Sequence, residues 1–264
     1  MNKFIYQDDD IIEIIDFNLI KHQSGNHDQS SHGNWASSTE IESLDFIPDS
    51  ESQPDLYSDD FFREENDQNI ANLYRTNMSK KDLEVKELNK KSLNLENYTG
   101  TGFEEVNNYL RDNSNNVDSD LNDSIKLLDD TIKSVPTIFK DKNLYRVASR
   151  DLFNNLEEGD IFFDKGFMST TLINLTKSTD ARAHFSLIDG NVSDDIVMQI
   201  RPSKTSSGKG VHVNGYFLLS TRTYRSDQPE ESEVLLPRET KLKFLGLEEG
   251  VNMESEIAVF ERIN

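Results

Sequence analysis

Apolar residues recur along this chain with two different periods, and the period changes between Pro136 and Asn143. Before that point the spacing is helical. Leu121, Ile125, Leu128 and Ile132 stand at i, i+4, i+7 and i+11 and predict a helix over 118–133, which Pro136 ends because proline cannot continue the hydrogen-bond ladder. Phe103, Val106, Asn107 and Leu110 share a face and predict a helix following Gly102. Leu83, Leu88 and Leu95 recur more loosely. With Ser79 as a cap and Asp82 three residues on, they predict a helix over 79–95. After Asn143 the period becomes two. Strands are expected over 143–148, within 161–171 (ending at Phe167-Met168-Ser169-Thr170-Thr171), and over 195–200, 210–217, 232–236, 241–245 and 256–262, with a short helix over 181–187. Helices first and strands later predict an α+β domain, not βαβ repeats.

Charge separates off the first third. The chain has 264 residues, with 49 acids against 28 Lys and Arg for a net charge of −21. Residues 1–90 hold 20 acids and 8 bases, so that 8 − 20 = −12 falls there. This stretch is also rich in Ser, Asn, Gln and Asp, and such a composition buries too little apolar surface to offset chain entropy. Residues 1–78 are therefore expected to be an acidic, largely disordered segment, and residues 79–264 the folded domain. Phe61-Phe62 is a candidate docking point within the segment.

Several function classes recede on composition. An acidic chain releases no counterions from phosphate, so nucleic acid and anionic membrane are not expected partners. The chain has no cysteine, which excludes disulfides, thiolate metal sites and cysteine nucleophiles. Five scattered histidines give no metal spacing; His184 and His212 are expected to be packing or surface residues. No run approaches the ~20 apolar residues that span a bilayer. Acids interrupt the apolar start Ile11-Ile12-Glu13-Ile14-Ile15, so no cleavable signal peptide is expected. Gly208-Lys209-Gly210 lacks the spacing and context of a phosphate-binding loop.

Three short segments carry candidate chemistry: Leu144-Tyr145-Arg146, Ser169-Thr170-Thr171, and Glu231-Ser232-Glu233 running on into Val234-Leu235-Leu236-Pro237. Singly each has an ordinary explanation, as a surface arginine, edge-strand hydroxyls and solvated acids. In this order and spacing they resemble the R-S-E class of mono-ADP-ribosyltransferases, whose pattern is an aromatic-Arg strand, a Ser-Thr-Ser strand and Glu-x-Glu. Thr171 replaces the second serine and keeps its hydroxyl. The segment Tyr98 to Arg111, with Tyr98, Phe103, Val106-Asn107 and Leu110-Arg111, is similar to the helix before the catalytic core of toxin-like members. The resemblance covers about residues 95 to 262.

That resemblance implies a fold of N-terminal helices followed by two packed, mostly antiparallel β-sheets, with NAD as the substrate and no metal. It implies cleavage of the nicotinamide–ribose bond, which leaves positive charge on the ribose as in glycoside hydrolysis. Glu233 is expected to stabilise that charge through the ribose 2′-hydroxyl. Arg146 is expected to grip the pyrophosphate, where a forked guanidinium pairs bidentately. Ser169 is expected to hold Glu233, with Tyr145, Thr170 and Thr171 lining or supporting the site. Phe185 either stacks on nicotinamide or packs in the core. Glu231 would share the face of Glu233 in a regular strand and orient an arginine acceptor. Tyr224 is a candidate contact with the acceptor protein. Actin is the first expected acceptor, a small GTPase the second, and an NAD glycohydrolase the competing reading. A monomer, secreted or translocated into a target cell, is expected.

Overall fold

Asp118 starts the helix that the spacing foretold: its carboxylate accepts from the backbone N–H groups of Asp120 (2.9 Å) and Leu121 (3.1 Å), satisfying donors that a helix N-terminus leaves open. In the computed structural model the described residues are 59–111, 118–176, 195–204, 207–220, 232–250 and 256–263, with side chains from residue 67, together with the backbone of two short strands near the N-terminus. The expected helix over 181–187 lies outside them, as do Phe185, His184, Tyr224 and Glu231.

The helices are α1 (Asp59–Asn77), α2 (Val85–Asn97), α3 (Phe103–Arg111), α4 (Ser119–Ser134) and the short α5 (Val213–Phe217). A π-helical turn, Tyr98–Gly102, joins α2 to α3. Gly102 is needed there, because a Cβ would meet the Asn97 carbonyl oxygen at 2.8 Å. The strands are β1 (Tyr6–Gln7), β2 (Asp10–Ile11), β3 (Leu144–Ser149), β4 (Ile161–Asp164), β5 (Met168–Thr171), β6 (Asp195–Arg201), β7 (Val211–His212), β8 (Glu233–Leu236), β9 (Thr240–Glu249) and β10 (Glu256–Arg262).

The structure corrects the sequence reading in four places. Helix α1 occupies part of the segment expected to be disordered, and Ala71 and Tyr74 are fully buried in it. Composition averaged over the first third hid this one amphipathic helix, so a boundary after residue 78 cuts through the folded unit. Ser79 and Asp82 do bond, Oγ to Oδ2 at 2.6 Å, yet they close a turn, and α2 starts only at Val85. Over 210–217 the expected strand is two residues of β7 followed by α5. Here His212 stops the ladder by capping the helix, its Nδ1 accepting from the N–H of Gly215 at 3.0 Å. Finally, the expected N-terminal helices and mostly antiparallel strands are present, but in place of two packed sheets the described strands form one ladder, in the order β2-β1-β4-β9-β10-β6-β3-β5-β8-β7. Among the described strands only β10 and β6 run parallel.

The two-layer expectation reflects how that ladder is joined. Strand β3 pairs with β6 at six positions but with β5 at one, Tyr145 opposite Thr171. One apolar cluster takes residues from both sides of this weak seam: Leu144, Ile196, Met198, Phe244 and Phe260 from one half, Met168, Val234 and Leu236 from the other. Strand β8 is buried on both faces. Leu235 points away from Val234 and Leu236 into a second cluster, where Tyr74, Leu95, Leu128 and Ile132 of the helices cover it. Each such side chain contributes about 1.5–3 kcal/mol by leaving water. Strand β8 is therefore held firmly, and the residue at its start, Glu233, inherits that rigidity.

Candidate active site

Register builds the site. Strands β5 and β8 run antiparallel with Thr171 opposite Glu233 and Ser169 opposite Leu235. Ser169 and Glu233 are thus diagonal neighbours on one face, a separation that side chains bridge. The Ser169 hydroxyl donates to Glu233 Oε1 at 2.7 Å. Arg146, on the strand beyond β5, donates from a terminal guanidinium nitrogen to the Ser169 carbonyl at 3.1 Å. Arg146, Ser169 and Glu233, separated by up to 87 positions in the chain, therefore meet in one place.

The electrostatics are those of a charge held out of water. Glu233 is 8 % exposed. Burial pushes its carboxyl up from an ordinary 4.5 to about 7, against the opposing pull of the Ser169 hydrogen bond and the Arg146 charge. A carboxylate so placed is poorly solvated in its charged form. Arg146 is half-buried, and burial draws its guanidinium below its usual value, with Asp164 pulling the other way. It keeps its charge at any physiological pH.

Helix α3 supplies parts that the sequence reading quoted without giving them a role. Arg111 grips Asp164 with both arms, Nε to Oδ1 at 3.0 Å and a terminal nitrogen to Oδ2 at 2.8 Å. Burial pulls the Arg111 guanidinium down most strongly, but the charge and hydrogen bonds of Asp164, with Tyr98, together outweigh it, and the result lies above the ordinary value. Arg146 feels both of these groups, so the site holds two guanidinium groups and two carboxylates. Asn107 clamps the chain just before β5, accepting from the N–H of Phe167 at 2.9 Å and donating to its carbonyl at 3.2 Å. Its amide also donates to the Tyr98 hydroxyl at 3.0 Å. Gly166 leaves room for this clamp, since a Cβ would sit 2.6 Å from the Asn107 carbonyl oxygen. Arg111, Asn107 and Tyr98 stood within the recognised helix segment and were legible; nothing in the sequence marked Asp164.

The remaining expected site residues divide. Thr170 Oγ1 donates to the Val234 carbonyl at 2.7 Å, and Thr171 Oγ1 accepts from the N–H of Ile173 at 3.0 Å. Both thus support the β5–β8 ladder and the turn that follows it. Tyr145 is 4 % exposed, packs with Val147, Val197 and Leu175, and accepts a hydrogen bond from Gln199 at 3.3 Å. The structure gives it a packed position opposite Thr171, which is in turn opposite Glu233. Ser232 has φ 47°, a left-handed conformation, so the regular strand alternation that would set Glu231 on the face of Glu233 does not run through it. Among the described residues no group of three or more His, Cys, Asp or Glu side chains is placed to hold a metal ion.

Comparison with known proteins bears on the fold and the family. A curated relative, uncharacterized protein R217 of Acanthamoeba polyphaga mimivirus, is 26 % identical over 179 residues, or 63 % of this chain. The chain spans only 22 % of that relative's length. Among solved structures, the ADP-ribosyltransferase Vis toxin of Vibrio splendidus superposes with a TM-score of 0.55 at 17 % identity, covering 80 % of this chain and 88 % of that one. Vis has also been solved with agmatine. C3stau2 of S. aureus, solved with NAD, gives a TM-score of 0.52 at 16 % identity and covers 81 % of this chain and 98 % of its own. These structural likenesses speak for the fold. The family model described as ADP-ribosyltransferase exoenzyme matches residues 66–259, a span that takes in the buried part of α1, the Asn107 clamp and all three strands of the site. On that match the chain belongs to the ADP-ribosyltransferase exoenzyme family.

Proposed function

We propose that this chain is a mono-ADP-ribosyltransferase that cleaves NAD at the nicotinamide–ribose bond and passes the ADP-ribose to a protein. The observation that carries the reading is the bond from Ser169 to the buried Glu233, with Arg146 anchored beside it. The bond breaks with its electron pair leaving on nicotinamide, and positive charge develops on the ribose. Glu233 faces that charge as a fixed anion, already desolvated and held by Ser169, so little reorganisation is needed as the charge forms. Arg146 supplies the forked cation suited to a pyrophosphate, and Arg111 lies within electrostatic reach of it. Thr170 and Thr171 keep β5 in register, and Phe185 is proposed to stack on nicotinamide.

The acceptor is proposed to be an arginine, because Glu231 stands two residues before Glu233. A guanidinium acceptor has a pKa above ~12 and needs a carboxylate to orient it and take its proton. That Vis has been solved with agmatine, a guanidinium compound, supports an acceptor of this class in the family. Actin is the first protein to test and a small GTPase the second. The chain is proposed to act as a toxin or effector delivered into a target cell.

Labelled NAD incubated with the protein and a cell lysate tests the reading. Label on a protein band means transfer, label in free ADP-ribose alone means an NAD glycohydrolase, and intact NAD overturns both. Release of the label by hydroxylamine, and labelling of free agmatine, identify an arginine linkage. Glu231→Gln is expected to abolish protein labelling while leaving much of the slow hydrolysis, since water needs no guanidinium positioning; a parallel loss of both activities assigns Glu231 to the NAD site instead.

A further inference from the structure

The imidazole of His212 is fully buried and is engaged at both ring nitrogens. Nδ1 lies 3.0 Å from the backbone N–H of Gly215, which can only donate. Nδ1 therefore carries the lone pair, and the ring proton sits on Nε2. Nε2 lies 3.1 Å from Ser232 Oγ and 3.4 Å from Asp67 Oδ1 of helix α1. The backbone N–H of His212 in turn donates to the Tyr74 hydroxyl at 2.8 Å, again on α1. Burial holds the ring neutral, its pKa lowered to about 4.

Ser232 is the residue this strut reaches, and its place is unusual. It is a buried non-glycine residue at φ 47°, a conformation that persists only where its surroundings impose it. It immediately precedes Glu233, and its carbonyl accepts from the N–H of Leu172 at 3.3 Å. The backbone is tied to β5's end, and the side chain is tied to His212. A rotation at Ser232 would swing the Glu233 carboxylate away from Ser169 and Arg146.

We propose that His212 is a positioning residue for NAD cleavage: its Nε2–H bond to Ser232, braced by Asp67 and Tyr74 of α1, holds the left-handed turn that aims Glu233. The inference rests on the reading of Glu233 as the carboxylate of the site. It extends the working machinery to α1, far from the three motif segments, and gives the middle residue of Glu231-Ser232-Glu233 a task of its own.

A double-mutant cycle in the full chain tests it, with Ser232→Ala, His212→Asn and the pair assayed for NAD cleavage. Asparagine places an amide oxygen where Nδ1 sits, so the Gly215 cap is kept while the reach to Ser232 is lost. Each single variant is expected to lower kcat about tenfold with KM for NAD within about twofold, because the misplaced group acts in the transition state. The double variant is expected to be no slower than the worse single, because both remove one link. An unchanged kcat in Ser232→Ala, or losses that multiply to about a hundredfold, overturns the inference. Should His212→Asn fail to fold, Ser232→Ala and the 15N spectrum of the wild-type imidazole decide: a proton on Nδ1 in place of Nε2 overturns it. Glu233→Gln run alongside separates two failures. Turnover retained in that variant removes the reading of Glu233 and this inference with it, whereas an inactive Glu233→Gln beside a normal Ser232→Ala overturns the inference alone.

Discussion

The two sides of the β3–β5 seam are built to different ends. On one side, β10 pairs at five positions with β6 and at seven with β9. Phe260 there meets Phe244, Phe153 and Phe162 with ring centroids 5.1, 5.5 and 5.7 Å away. That half buries apolar surface and long ladders, the arrangement that stabilises a fold. On the other side, β5 and β8 pair at four positions and carry, within a few residues, a buried carboxylate with a raised pKa and a serine in a left-handed conformation. Each of these features costs stability. Their concentration beside one another, on a strand whose neighbours are fully buried, is what a site of charge stabilisation requires: the apolar half supplies the rigidity that the polar half draws on.

Substitutions on the two sides should therefore fail in different ways. Phe260→Ala removes the ring on which three others converge and is expected to destabilise the fold by about 3–5 kcal/mol, read from denaturant midpoints, while the folded fraction keeps its turnover. A fall in kcat per folded molecule would mean that the two halves are not separable. Glu233→Gln is expected to fold and to lose a factor of about 10²–10³ or more in NAD cleavage and transfer alike. Retention of more than a few per cent of activity removes Glu233 from its role.

The same substitution should be stabilising, and the sign depends on pH. The folded carboxyl titrates near 7 and the unfolded one near 4.5. Below pH 4.5 both states are protonated there and the group exerts no penalty. As pH rises from 4.5 towards 7 the unfolded state releases its proton while the folded state still holds it, so stability is lost, and by about pH 7, where the folded state comes to carry the buried charge, the loss is complete. Glu233→Gln is thus expected to match wild type near pH 4 and to exceed it at pH 8 by at most about 3 kcal/mol, seen as a pH-dependent gap between thermal midpoints. A gap of the same size at both pH values would mean that charge is not its cause. The wild-type pH profile of kcat/KM should show an acid limb near pH 7, rising as Glu233 ionises; a profile flat from pH 6 to 8 speaks against the anion as the active form.

The smallest effect expected is at Arg146. Lysine keeps the charge and loses the fork, so Arg146→Lys should raise KM for NAD about tenfold with the fold intact. An unchanged KM would place the pyrophosphate elsewhere, with Arg111 the first alternative.

Periodicity and short motifs determined a good deal of this protein on their own. The i, i+4, i+7 spacing from Leu121 to Ile132 and the alternation through β6 and β9 are local properties, set by which face must leave water. Tyr145-Arg146 and Ser169-Thr170-Thr171 were legible because strand-borne chemistry keeps its spacing within each strand, and Glu231-Ser232-Glu233 because the sequence runs on from it directly into β8. Tertiary structure alone decided the rest. Helix α1 was invisible in an acidic stretch because its stability comes from burying Tyr74 against the strand half, a contact across more than a hundred residues. His212 ends β7 because its ring caps α5, a competition that strand patterning does not register. Asp164 gains its meaning only when α3 brings Arg111 to it. The raised pKa of Glu233 follows from the depth at which β8 is packed, which no count of acids along the chain reveals. Sequence carried the identities of the charged groups, and the fold carried their solvation and their neighbours; it is on the second pair that the proposed role of Glu233 rests.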